Sequence, residues 1–272
     1  MSVSLGLKNK SLRKTGLPSA RRASNLVRRS LLVYRHTWMV IFSGFFEPLF
    51  YLVAVGFGVG RLVKTMPFGG EQIPYAAFVA PGMLAASCLN GAITDGFFNP
   101  FFKLHRTMTY DGILATPMSV PDIALGEMMW ALIRGSIYSV GFLIVMFALG
   151  LILSPWALLA LPAAMLTAGA FSAGAMVLMS FAKRIQAFDK ILNLVVIPLF
   201  LFSGTFFPVS LYPAPIQPIV KLSPLYHGST LLRGLTTGVV RPGILLHVVY
   251  LVAMFVLASA VAMHRLERKL IK

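Results

Sequence analysis

Acidic residues are scarce. Only eight of the 272 residues are Asp or Glu, and charged residues of either sign make up 12% of the chain. A soluble domain of this length needs a charged surface, so the shortage excludes that class. The single cysteine, Cys88, excludes an intrachain disulfide and a cysteine metal cluster. The five histidines, at 36, 105, 227, 247 and 264, show no ligand spacing and are expected to be packed or interfacial. No G-x-x-x-x-G-K-[ST] stretch occurs, so the chain carries no phosphate-binding loop of its own. No His–Asp, Ser–His or paired-carboxylate arrangement stands out to support an intramembrane enzyme.

Apolar residues are abundant, at 57% of the chain with a mean hydropathy of +0.81. Long apolar runs place the chain among all-α polytopic membrane proteins. The formal net charge of +16 could suit nucleic acid, but the basic residues flank the apolar runs. That pattern is the positive-inside bias, and nucleic acid is not an expected partner. Eighteen basic residues fall in segments assigned to the inner side and five in segments assigned to the outer side. The imbalance predicts six spans with both termini in the cytosol.

Residues 1–17 read as a disordered basic tail. Residues 18–36, where basic residues interleave with Leu26, Val27, Leu31 and Leu32, read as an amphipathic helix in the inner interface. The six-helix domain covers 37–264. Its spans are expected at 37–60, 75–98 and 121–153, then a fourth ending near 182, a fifth starting near 188 and a sixth at 242–263. A short outer loop covers 61–74 and a basic tail covers 265–272.

Polar residues inside the spans are the candidates for a pathway. A carboxylate such as Glu47 near the bilayer centre costs about 3 kcal/mol, so it should face protein or a cavity. Pro48 beside it removes a backbone hydrogen bond and kinks the helix. The pair suits either a hinge lining a path or a buried carboxylate bonded to a neighbouring span. Asn90 and Asp95 lie on the second span, and Phe202, Phe206 and Phe207 follow the fifth. Glu127 and Arg134 lie about two turns apart on the third span, too far to pair directly. Each should find a partner on another span or snorkel. With Glu47 they make a candidate intramembrane charge network.

The polar interval Lys103 to Glu127 carries its own short helix pattern. Thr107 can act as N-cap and Asp111 sits near the first turn. Ile113, Leu114 and Ala115 follow, and Pro117 disfavours the helical region at Thr116. A helix of about two turns does not hold itself together in water, so this one needs a surface to lie on. Ser119 and Asp122 have capping-box spacing for the next span. Further on, prolines throughout 208–236 forbid one continuous helix. Two half-helices, 215–222 and 224–235, are expected to dip back into the outer leaflet, with Lys221 and Arg233 anchored at head groups.

Three stretches carry a resemblance: EPLFYLVAVGFGVG (Glu47 to Gly60), YDGILATPMSVPDIALGEMMWALIR (Tyr110 to Arg134), and FLFSGTFFPVSLYP with the later PLYHGSTLLRG. Together they resemble ABC-2 type transporter permeases of the lipo-oligosaccharide (nodulation-factor) and daunorubicin-resistance exporter branch. The resemblance implies a type V exporter-like half-transporter in a bacterial cytoplasmic membrane. Residues about 107–117 would be its coupling helix, with Thr107, Met108, Tyr110, Asp111, Gly112, Ile113, Leu114, Ala115, Thr116 and Pro117 at the contact. The outer re-entrant hairpin would cover about 208–236. The implied partners are two copies of a separate ABC ATPase, a second permease copy or paralogue, and membrane lipid. ATP and Mg would bind the ATPase, and this chain would bind no cofactor. The cargo would be an amphipathic glycolipid, lipo-oligosaccharide or lipophilic drug moved outward. The competing reading is a proton-coupled secondary transporter that uses Glu47, Asp95 and Glu127.

Overall fold

The computed structural model describes residues 19–35, 46 and 49–270. The stretch 1–17 and the pair Glu47–Pro48 lie outside them. The helices are α1 (Ala20–Arg35), α2 (Leu49–Arg61), α3 (Tyr75–His105), α4 (Thr109–Leu114), α5 (Val120–Ala148) and α6 (Pro155–Phe181). They continue as α7 (186–202), α8 (Gln217–Leu222), α9 (Pro224–Thr237) and α10 (Ile244–Leu270). Four of these, α3, α5, α6 and α10, are long and apolar enough to cross a membrane.

The expected outer loop 61–74 is instead partly a β-hairpin. β1 (Thr65–Phe68) pairs antiparallel with β2 (Glu71–Pro74), placing Phe68 opposite Glu71. Gly69 and Gly70 both take positive φ in the two-residue turn, as a tight hairpin requires. Two helices also run longer than expected. α3 continues to His105, so Lys103 belongs to the helix, and α10 continues through the basic stretch to Leu270. Side chains of that stretch have partners: Arg265 Nε donates to Ser180 Oγ at 2.9 Å and Lys269 Nζ to the Ala182 carbonyl at 2.9 Å. These bonds join the last turns of α10 to the end of α6.

α3 is the central helix. Its most apolar window is 83% buried, against 11% for α10, most of whose apolar surface is exposed. Small residues let neighbours close on α3. At Gly96 a Cβ would overlap the Ser172 carbonyl oxygen of α6 and lie 2.8 Å from Ala175 Cβ. At Gly126 of α5 a Cβ would lie 2.8 Å from Leu26 Cβ of α1. Contact through Gly126 seats α1 on the protein by Ala23, Leu26 and Val27, while Leu31 and Leu32 stay exposed. The amphipathic stripe therefore divides between a protein-facing part and an outward apolar part.

Overpacking a close approach costs about 1–3 kcal/mol. Gly96→Ala is therefore expected to lower the thermal midpoint of the purified protein in detergent. Gly112→Ala, where nothing lies within 4 Å of the added methyl, should leave it unchanged or higher. Equal midpoints for the two variants would refute the close-approach argument.

Candidate functional site

Three ion pairs converge on the first half of α5, and each partner comes from elsewhere in the chain. Asp122 receives Arg22 Nε of α1 at 2.6 Å and the Ser19 backbone N–H at 2.7 Å. It also accepts from the Ser119 backbone N–H at 2.8 Å, which is the reciprocal half of a capping box. Glu127, one turn further, takes Lys103 Nζ of α3 at 2.8 and 2.7 Å on its two oxygens. Arg134 Nη1 donates to Asp95 Oδ1 of α3 at 2.8 Å.

Neutral donors and acceptors close the set. Arg134 Nε and Nη2 both donate to Tyr138 Oη, at 3.0 and 2.9 Å, and Nη1 reaches Tyr34 Oη of α1 at 3.1 Å. Asn99 Nδ2 donates to Asp95 Oδ1 at 3.0 Å and to Tyr34 Oη at 3.1 Å. Asp95 and Arg134 are only 2% and 4% exposed, so these bonds must replace the water both charges have lost. Among the described residues no hydrogen bond joins Glu127 and its partners to Arg134 and its partners. Glu127 and Arg134 anchor two adjacent clusters on α5, and Glu47 lies outside the described residues.

α4 rests on this hub. It begins at Thr109, two residues later than the expected N-cap, because Met108 adopts a left-handed conformation (φ 47°) and supplies the turn into the helix. Thr107 instead bonds its hydroxyl to Thr109 Oγ1 at 2.7 Å. Ala115, Thr116 and Pro117 form a turn after the helix ends at Leu114. Two of the contact candidates face inward. Leu114 is buried, and buried Tyr110 donates its phenol to Glu127 Oε1 at 3.1 Å. Burial and the Glu127 carboxylate push the Tyr110 phenol well above its ordinary pKa, so it keeps its proton and remains a donor. Thr107, Met108, Asp111, Gly112, Ala115, Thr116 and Pro117 form an exposed surface, with Ile113 half-buried.

Beside the hub a cleft of about 510 Å³ opens between α2, α3 and α7. Asn90 and Phe206 line it, with Tyr51, Val55, Thr94 and Phe200. Asp95, Phe202 and Phe207 do not: Asp95 turns into the ion pair, and Phe202 and Phe207 are exposed. All three walls carry a widened, π-helical stretch at the cleft: Leu52–Gly58 in α2, Thr94–Phe98 in α3 and Leu192–Val196 in α7. Such turns recur at functional sites, because the extra residue re-aims side chains and loosens the helical ladder. In α3 the widened turn sends Thr94 to the cleft and its neighbour Asp95 to Arg134.

Several members of the hub escaped sequence reasoning. Tyr34, Asn99, Lys103 and Tyr138 sit at positions that read as ordinary helix or interface, and only their shared partners mark them. The histidines were expected to be packed individually, yet His227 and His247 meet at 2.7 Å between their Nδ1 atoms. Nothing in their spacing announces that contact. Arg233, expected at the outer head groups, is 3% exposed and donates from Nε to the Phe78 carbonyl at 2.7 Å. Lys221 is exposed.

Removing one member of a buried pair leaves the other uncompensated, at a cost of about 3–5 kcal/mol. Arg134→Gln is expected to lower the thermal midpoint strongly, and adding Asp95→Asn should recover part of the loss. A double-mutant cycle read by thermal denaturation in detergent measures the coupling, expected at about 1–3 kcal/mol. A coupling of zero would mean the two charges act independently.

The ABC-2 type transporter family matches residues 22–237, from α1 to the last residue of α9. Nodulation protein J of Rhizobium meliloti (strain 1021) is 30% identical over 246 residues, covering 88% of this chain and 92% of the relative. Its namesake in Rhizobium leguminosarum bv. trifolii is 32% identical over 246 residues, covering 89% and 92%. The protein of that name in Azorhizobium caulinodans is 24% identical over 225 residues, covering 81% and 87%. On this match, with the apolar spans in agreement, the chain belongs to the ABC-2 type transporter family, as a non-catalytic, multi-pass membrane permease that works with an ABC ATPase subunit.

Proposed function

We propose that this permease is the membrane half of an exporter that moves an amphipathic glycolipid, lipo-oligosaccharide or lipophilic drug outward across a bacterial cytoplasmic membrane. In this reading α4 is the coupling helix and lies in the cytosol with α1 and both termini. The spans are α2, α3, α5, α6, α7 and α10, and α8 with α9 forms a re-entrant hairpin at the outer side. Two ATPase subunits hold ATP and Mg, and a second permease copy or paralogue closes the cleft between α2, α3 and α7. The resemblance of Glu47–Gly60 and Tyr110–Arg134 to the lipo-oligosaccharide exporter branch supports a cargo of that type, and the relatives named nodulation protein J are consistent with it.

The observation that carries the reading is the continuity from α4 to the cleft. An ATPase pressing on the exposed side of α4 would load Tyr110, whose phenol bonds Glu127. Glu127 holds α3 through Lys103, and Arg134 holds it again through Asp95. Asp95 neighbours Thr94, which lines the cleft. A movement of α4 therefore reaches the cleft wall through bonded groups. The proton-coupled alternative finds less support, because Asp95 and Glu127 are each committed to a cation.

Gly112 is exposed and has open space around it, so a charge there changes the docking surface without disturbing the interior. Gly112→Glu, coexpressed with the ABC ATPase, is expected to abolish copurification of the ATPase and reduce export at least tenfold, with the thermal midpoint kept. Tyr110→Phe should retain the complex but lower export, because only the bond to Glu127 is lost. Wild-type complex formation and export in Gly112→Glu would overturn the assignment of α4.

A further inference from the structure

At the end of α3 opposite to α4 lies a second buried cation, and among the described residues it has no carboxylate partner. Arg233 of α9 is held by carbonyl oxygens: Nε donates to Phe78 at 2.7 Å, and Nη2 donates to Gly204 at 3.1 Å and Thr205 at 3.4 Å. Its guanidinium lies 3.7 Å from the Phe78 ring centroid and 5.5 Å from that of Phe68. Among the described residues none accepts from Nη1. The guanidinium borders a cavity of about 250 Å³ that Thr230, Tyr226 and Ser210 also line. Thr230 Oγ1 is buried and has no hydrogen-bond partner.

A neighbouring cavity of about 190 Å³ shares Phe68, Gly69 and Thr230 with the first, and Arg241 lines it. Arg241 donates to the Gly69 carbonyl at the hairpin turn. Thr230 thus sits between a buried and an exposed arginine. Glu71, the acidic residue of the hairpin, is exposed and lines neither cavity. A buried guanidinium with a spare donor face, an unpartnered hydroxyl and a second cation at the rim make a site that lacks only negative charge. Phe78 is one turn into α3, about 5 Å along its axis, which suits the depth of lipid phosphates rather than of acyl chains.

The geometry points to an anion site at Arg233 and Thr230 that takes a phosphate-type oxyanion, as the phosphodiester of a membrane lipid or as free phosphate. Arg233 supplies the charge-assisted donor from Nη1, Thr230 supplies a neutral one, and Arg241 draws the anion to the mouth. The site does not depend on the direction of transport or on the role of α4.

The purified full-length chain in neutral detergent is titrated with dihexanoyl phosphatidylglycerol, inorganic phosphate and uncharged dihexanoylglycerol. Binding is read by thermal shift and by retention in native mass spectrometry. Phosphatidylglycerol is expected to bind and the uncharged lipid not to bind. Thr230→Val, which removes no bond within the protein, should weaken binding about fivefold. Arg233→Gln should abolish it, and where that variant does not fold, Thr230→Val decides. Binding of the lipid alone identifies the phosphodiester as the ligand, and binding of both identifies a general phosphate site. Equal affinity of Thr230→Val and the wild-type chain for the anion overturns the proposal. Equal binding of the uncharged lipid, or no binding of either anion, overturns it as well.

Discussion

Charges withdrawn from water must be matched, and in this protein that requirement is concentrated on one helix. α5 presents Asp122, Glu127 and Arg134 along its first half, and each is paired with a group from another element: Arg22 of α1, Lys103 of α3 and Asp95 of α3. The α5 member of each pair is buried, and for Arg134–Asp95 both are, so the alternative there is an uncompensated buried charge, which costs several kcal/mol. The pairs are therefore specific cross-links between helices whose apolar faces would otherwise pack in many registers. Association of helices in lipid lacks the hydrophobic drive available in water, so close-packed glycines and such polar links must set the geometry.

The consequences reach both ends of α3. At one end the hub joins α1, α3, α4 and α5 and ends one residue from the cleft wall, at Asp95 beside Thr94. At the other end Arg233 ties α9 to the first turn of α3 and to the Gly204–Thr205 backbone after α7. α3 is thereby held at its first turn by Arg233 of α9 and, further along, at Asp95 by Arg134 of α5. Asp95 lies within the widened turn Thr94–Phe98, where the regular ladder is relaxed and Gly96 touches α6. A helix pinned at such a softened turn can transmit a push as a tilt or a change of local winding.

Much of this was legible in the chain. Hydropathy and the basic flanks marked a multi-pass membrane protein. Proline positions marked the broken segment, where the structure has Gln217–Leu222 and Pro224–Thr237 close to the half-helices expected. Pro117 and the short apolar pattern marked a brief helix in the polar interval, although its start was set by Met108 in a left-handed turn. The spacing of Glu127 and Arg134 indicated that each needed a partner from another helix. It could not say which. Lys103 reads as part of the polar interval, whereas α3 carries it to Glu127, and Arg233, expected at head-group level, is buried with three of its bonds made to carbonyls.

Composition, periodicity and punctuation are local properties, and they determined the solvent this protein inhabits, most of its helical segments and the place of its exposed short helix. Tertiary structure alone decided which charges meet and which remain without a carboxylate. It also decided that His227 touches His247 and that three widened turns face one cleft. The physical reason is that each of these depends on residues distant in the chain, 100 positions apart for Arg22 and Asp122 and 155 for Phe78 and Arg233. A helix reports what it buries through its own pattern, but the identity of its neighbour is fixed only when the close approaches at Gly96 and Gly126 select one packing among those the apolar faces allow.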